Sequence, residues 1–172
     1  MAAHPEHTIL PLPRFDRPVK LALVVAPYYR AIAEALVAGA EATAARAGAA
    51  VERFDVPGAL EIPPAIALAD RMGRFDGFVA LGCIIRGETT HYDTVCNDSS
   101  RGLMLLGLGG AAIGNGILTV ETMAQAEVRA DPAGQDKGGG AAAAALHLVA
   151  LARAFGASRR GVGFNAHLGA QG

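Results

Sequence analysis

Apolar positions along this chain alternate between two spacings. Continuous β-branched runs at residues 19–26 (VKLALVVA) and 77–85 (GFVALGCII) read as strands buried on both faces. Runs at 49–56 (AAVERFDV) and 112–120 (AIGNGILTV) read as two more strands. Between them the spacing becomes helical. An Ala-rich amphipathic helix spans 30–47 and is ended by Gly48. A second spans 61–72, with Pro63 and Pro64 tolerated in its first turn. A third starts near Asp93, places Val95, Leu103 and Leu106 on one face, and is closed by the glycines of 107–110. A short helix at 121–129 and a loop at 130–136 lead to a long helix of small residues at 137–155, where Leu146, Val149 and Ala150 keep the period. Residues 1–17 are Pro-rich and unpatterned and are expected to form an arm. Residues 157–172 lack periodicity and are expected to form a flexible tail, leaving 18–156 as one domain.

Strands alternating with helices argue for an α/β domain with a parallel sheet covered on both faces. The pattern leaves strand order open. An order of 2-1-3-4 would set strands one and three side by side, with their helices on opposite faces and a ligand crevice between their C-terminal ends. Tyr28, in the Pro27-Tyr28-Tyr29 break after strand one, would then lie beside the loop after strand three.

Composition narrows the class. A length of 172 residues suits one domain with a real core, and a net charge of −1 offers no broad basic field for nucleic acid. Hydrophobic residues make up 52% and the mean hydropathy is +0.31, yet no apolar run reaches membrane-spanning length free of Gly, Pro or charge. The apolar excess is therefore expected between subunits of a homo-oligomer, with no membrane partner. The N-terminus lacks the basic-then-apolar order of a signal peptide, so a cytoplasmic location is expected. Cys83 and Cys96 lack metal-type spacing and read as reduced structural thiols.

Candidate chemistry centres on residues 86–91 (RGETTH), a polar loop feeding a helix N-terminus. Gly87 permits close backbone approach, and first-turn N–H groups and hydroxyls suit an anion. His91 would face the positive end of the helix dipole, which favours a neutral ring able to take up a proton. A polar turn with a capping threonine accounts for the same letters. Glu61 is either a dipole-favoured first-turn acid or a ligand for hydroxyl groups. Arg129 suits a helix C-terminus, but Lys137 opens a helix, where a cation is unfavourable; the two flank a loop expected to be mobile and could reach a phosphate across a subunit boundary. The run Gly138-Gly139-Gly140 reads as a closely packed helix start rather than a linker, and His147 as a histidine without a role. Residues 107–112 match a dinucleotide glycine pattern by letter, but they follow a helix and precede a strand, so that reading is rejected.

Four motifs, VPGALEIP at 56–63, RGETTHYDTVCN at 86–97, GILTVET at 116–122 and RADPAGQDKGG at 129–139, resemble those of the 6,7-dimethyl-8-ribityllumazine synthase family in order and spacing. The resemblance covers about residues 19–155. It implies a flavodoxin-like three-layer α/β/α sandwich with a four-stranded parallel sheet of order 2-1-3-4, and pentamers with active sites between neighbours. It implies condensation of 5-amino-6-(D-ribitylamino)uracil with 3,4-dihydroxy-2-butanone 4-phosphate, the penultimate step of riboflavin biosynthesis, without metal or organic cofactor. By position, Tyr28 falls where the family stacks an aromatic ring on the pyrimidinedione. Ala59, Leu60 and Glu61 would hold the uracil and ribityl chain, and Cys83, Ile84 and Ile85 would line the ring pocket through backbone. Glu88 and Thr89 would border the phosphate, His91 would transfer protons, Arg129 would clamp the phosphate from the adjacent subunit, and Lys137 would lie near it.

Three departures stand out. Glu88 replaces a common alanine and must turn away from the phosphate or pair with a cation such as Arg86. Asn115 replaces a common phenylalanine at the ring contact. Ala133 removes one basic residue from the loop after Arg129. A non-enzymatic flavin- or lumazine-binding relative and a purely structural shell are the competing classes; retention of His91, Arg129 and Lys137 weighs against the first.

Overall fold

The computed structural model describes residues 8–160. Its elements are β1 (Val19–Val25), α1 (Arg30–Arg46), β2 (Ala49–Asp55), a 3-10 turn (Ala59–Glu61), α2 (Ile62–Asp70), β3 (Gly77–Ile85), α3 (His91–Leu108), β4 (Ile113–Val120), α4 (Met123–Ala130) and α5 (Lys137–Arg160). All strand pairs are parallel and the order is β2-β1-β3-β4. This is a three-layer α/β/α sandwich of flavodoxin-like type, as the motifs implied.

Alternation along β1 shows why both faces must be covered. Leu21, Leu23 and Val25 join a core with Leu36 of α1, Ala126 of α4 and Leu146 of α5. Ala22 and Val24 join a second core with Ile62 and Ile66 of α2, Phe78 of β3 and Leu103 of α3. Thus α1, α4 and α5 form one outer layer, and α2 and α3 the other. Leu36, Ile62, Ile66 and Phe78 are almost completely buried, and side chains of this size each contribute about 1.5–3 kcal/mol on leaving water.

Several boundaries differ from the sequence expectation. The third helix starts at His91 rather than Asp93, so His91 belongs to its first turn. Glu61 lies in a 3-10 turn immediately before α2, because Pro63 and Pro64 suit the first turn of the α-helix that follows. The short helix α4 starts at Met123, where the Thr122 side chain accepts from Gln125 N–H at 3.3 Å. Helix α5 continues past 155 to Arg160, so the expected tail begins with four helical residues; 161–172 and the first seven residues of the expected arm lie outside the described residues. Residues 8–18 contribute no regular element, though Leu12 and Phe15 pack on the first core.

Helix α5 is long and apolar enough to cross a bilayer by length and composition over Lys137–Gly156. In this fold it instead lies along α1 and the sheet, where Ala141, Ala142, Ala145, Leu146 and Val149 are buried in the first core. Its glycines make the contact close: a Cβ at Gly138 would overlap the carbonyl oxygen of Leu36 on α1. Gly138 and Gly139 therefore form a packing surface, whereas Gly140 faces open space.

Candidate active site

The sheet opens a crevice at the point where its winding reverses. Pairing of β3 with β1 ends at Val25 and Leu81, with Ala26 N–H still donating to Leu81 O at 2.9 Å. Strand β3 then runs on through Gly82, Cys83, Ile84 and Ile85, paired with β4 alone. The unpaired side of that extension faces a cleft of about 410 Å³. Backbone N–H and C=O groups there are available to a ligand.

Tyr28, Ala59, Leu60, Glu61, Cys83, Ile84, Ile85, Thr89 and His91 all line this cleft. Tyr28 follows β1 and is 75% exposed, with its ring edge-to-face on Tyr29 at 5.1 Å between centroids. The 3-10 turn after β2 brings residues 59–61 to the opposite rim. Thr89 does not cap α3 in the ordinary way; its hydroxyl oxygen accepts His91 N–H at 3.4 Å, and Thr90 is the cap residue.

Glu88 is exposed and does not line the cleft, although its neighbours Gly87 and Thr89 do. Nor does it pair with Arg86. That guanidinium is held by Glu121 at 2.8 Å and by Asp93 at 3.5 Å, and it lies 4.1 Å over the Tyr92 ring. The bond to Glu121 stabilises its charged form further. The Arg86–Glu88 pair, one of the two expectations for Glu88, is not formed.

Burial pushes the Cys83 thiol up to about 11, which keeps it protonated at neutral pH. Burial is also the leading cause of upward shifts at Tyr29, Tyr92 and Cys96. Cys83 and Cys96 are both free thiols. Among the described residues no group of three or more His, Cys, Asp or Glu is placed to hold a metal.

Asn115, Arg129 and Lys137 do not reach this cleft within one chain. They line a separate hollow of about 430 Å³, walled by β4 and the start of α5. Asn115 turns its side-chain oxygen back to accept Ile117 N–H at 2.9 Å. Arg129 is half-buried and donates to Gln125 O at 3.3 Å. The loop between the two cations was expected to be mobile, but it is closed by its own bonds. Asp131 O accepts from Gly134 and Asp136 N–H, both at 3.0 Å, and Val128 O accepts from Gln135 N–H at 3.3 Å.

Sequence reasoning missed Tyr29, Tyr92 and Val95, which also line the cleft. Tyr29 was read only as part of a strand break, although an aromatic pair after Pro27 was a usable signal. Tyr92 and Val95 were within reach once His91 opened the helix, because one turn of α3 then carries all three. His147 keeps no known role: its Nε2 is buried without a hydrogen-bond partner.

Comparison with known proteins places this geometry in context. The sequence model of 6,7-dimethyl-8-ribityllumazine synthase matches residues 18–153. A relative of that name from Jannaschia sp. (strain CCS1) is 57% identical over 164 residues, covering 95% of this chain and 92% of the relative. Relatives of the same name from Novosphingobium aromaticivorans and Erythrobacter litoralis are 58% and 53% identical, covering 77% and 78% of this chain and 95% and 96% of their own lengths.

Proposed function

The chain belongs to the 6,7-dimethyl-8-ribityllumazine synthase family, and from that premise we propose how its residues divide the work. It is a transferase of riboflavin biosynthesis. It condenses 5-amino-6-(D-ribitylamino)uracil with 3,4-dihydroxy-2-butanone 4-phosphate to give 6,7-dimethyl-8-ribityllumazine, phosphate and water.

The observation that carries our division of roles is the split between the two cavities. His91 and Tyr28 line one, and the cations Arg129 and Lys137 line the other. The phosphorylated substrate needs cationic partners beside the proton-transfer group. In our reading the site is completed by a second copy, whose Arg129, Lys137 and Asn115 close the His91 cleft. Exposed Met104, Leu105, Leu108, Leu148, Leu151 and Phe155 support burial against such copies, and the assembly we propose is at least a pentamer.

Within that site the uracil rests against Tyr28 and the backbone of Cys83, Ile84 and Ile85. Ala59, Leu60 and Glu61 hold its polar edge and the ribityl chain. Thr89 and the first turn of α3 border the phosphate, with the Glu88 carboxylate directed away. The amine of the uracil attacks the ketone, His91 moves protons as the imine forms and phosphate leaves, and the resulting enol becomes the ketone that closes the ring. Most of the acceleration comes from holding amine and ketone together. The proton shuttle adds roughly 10²–10⁴-fold. The two free thiols fit a reducing compartment, and we assign the enzyme to the cytoplasm.

The test is direct. Purified protein mixed with both substrates should produce the lumazine chromophore and inorganic phosphate in equal amounts, with turnover. Binding of the product without turnover above the uncatalysed rate would replace this reading with that of a non-enzymatic lumazine-binding protein.

A further inference from the structure

We propose that Asp136 is a positioning residue for the phosphate-binding cations: it fixes the direction in which Lys137 leaves α5 and its spacing from Arg129. The inference rests on the reading of Lys137 and Arg129 as phosphate partners and extends it to a residue that touches no substrate.

Three observations converge on Asp136. Its backbone is left-handed, with φ of 44°, the only non-glycine residue with positive φ among the described residues. Such a conformation is costly for an L side chain and persists where its surroundings enforce it. The side chain supplies part of that enforcement: Asp136 Oδ1 accepts Gly139 N–H at 2.9 Å, capping the first turn of α5. The carboxylate also occupies a notch that only glycines leave open. A Cβ at Gly39 on α1 would overlap Oδ1, and a Cβ at Gly139 would overlap Oδ2.

The consequence falls on the next residue. Lys137 opens α5, where the helix dipole opposes a cation, and the capping carboxylate offsets that opposition. From the other side, Asp136 N–H donates to Asp131 O at 3.0 Å, which ties the same residue to the loop that begins just after Arg129. Asp136 is thus locked to α1, to α5 and to the loop at once. Both cations line one hollow because the chain between them has a single path. A carboxylate so near a phosphate site would repel the ligand if it faced the hollow, and its seat in the glycine notch keeps it out of the lining.

Steady-state kinetics on the assembled enzyme tests this. Asp136→Gly keeps a residue at ease with positive φ and removes only the carboxylate. It should raise KM for the butanone phosphate about tenfold, with KM for the ribitylaminouracil and kcat within about twofold of the parent. Asp136→Asn keeps the acceptor and tolerates the backbone, so it should restore KM. Gly39→Ala should reproduce the Asp136→Gly pattern by evicting the carboxylate from its notch; should that variant not fold, the two Asp136 variants decide alone. A lowered melting temperature with unchanged KM in Asp136→Gly would show a merely structural cap and overturn the proposal. So would Asp136→Asn matching Asp136→Gly, which would point to charge rather than position. Lys137→Ala separates the two levels. If it raises KM while Asp136→Gly does not, only the role of Asp136 falls. If Lys137→Ala leaves KM unchanged, the reading of Lys137 as a phosphate partner falls, and the role of Asp136 with it, while Arg129→Ala tests the phosphate site itself.

Discussion

Arg86, at the end of β3, and Glu121, at the end of β4, meet at 2.8 Å and fasten the loop that leads to His91 to the neighbouring strand. The same guanidinium reaches Asp93 in the first turn of α3 and covers Tyr92. Both partners are substantially exposed, so the pair adds little to global stability. Its effect should be local. Arg86→Ala is expected to leave the melting temperature nearly unchanged and to lower kcat by up to about tenfold, through a looser His91. A large fall in melting temperature with unimpaired kcat would assign the pair to folding instead.

Tyr28 is the aromatic surface most open to a ligand in the cleft. Tyr28→Phe should be nearly silent. Tyr28→Ala should weaken binding of the ribitylaminouracil by about 1–3 kcal/mol, the range for a base stacked on an aromatic ring. Calorimetric titration measures this, and unchanged affinity in Tyr28→Ala removes the residue from the site.

Arg129 and His91 should fail differently. In the proposed division of roles Arg129 holds phosphate before the reaction begins, so Arg129→Ala should chiefly raise KM for the butanone phosphate and be rescued by high concentrations of it. His91 is proposed to act during proton transfer, so His91→Ala should lower kcat modestly and resist that rescue. After subtraction of the uncatalysed condensation, full rescue of His91→Ala at saturating butanone phosphate would make His91 a binding residue.

Cys83 predicts a pH dependence at the alkaline end. Its thiol is raised by burial from 9.0 to about 11, so between those values the folded chain retains a proton that the unfolded chain has lost. Stability is therefore unaffected by this group below about 9 and falls as pH rises from there through about 11. Thermal unfolding across that window should show a steeper decline for the parent than for Cys83→Ala. Parallel slopes would mean that the thiol is no less acidic in the fold than out of it.

Assembly is tested by mass. Sedimentation at micromolar protein concentration and neutral pH should give a species of at least five chains. A monomer would leave the two halves of the proposed site apart, and either a monomer or a dimer would refute the proposed assembly.

What could be read from the sequence follows from how many constraints act on each residue. Strand β3 matches its expected bounds, Gly77–Ile85, because burial on both faces forces an unbroken apolar run. The other strands and the five α-helices were legible from the spacing of their apolar positions. Boundaries set by single local bonds were less so. The step from Glu121 into α4 is governed by Thr122 and Gln125, whose side chain accepts Glu121 N–H at 2.8 Å, a capping pattern present in the letters but not used. The neighbourhood of Tyr28 and the His91 loop followed once the strand order was assumed, whereas the grouping of residues 59–61 with 83–85 came from the family resemblance. The closed loop before Lys137 did not, because its bonds are almost all made by backbone, which side-chain identity does not report.

The overhang of β3 beyond β1 also bears on how this protein can vary. A pocket carved by side chains can be lost one substitution at a time. Here part of the cleft wall, proposed to recognise the ligand at Cys83, Ile84 and Ile85, is main chain, uncovered because the adjoining strand stops short. Exchange among side chains of similar size leaves those amide groups where they are. Erasing them takes a proline, which deletes the N–H, or an insertion that lengthens β1 and fills the gap. That portion of the cleft wall is inherited with the strand lengths, and drift at individual codons leaves it largely untouched.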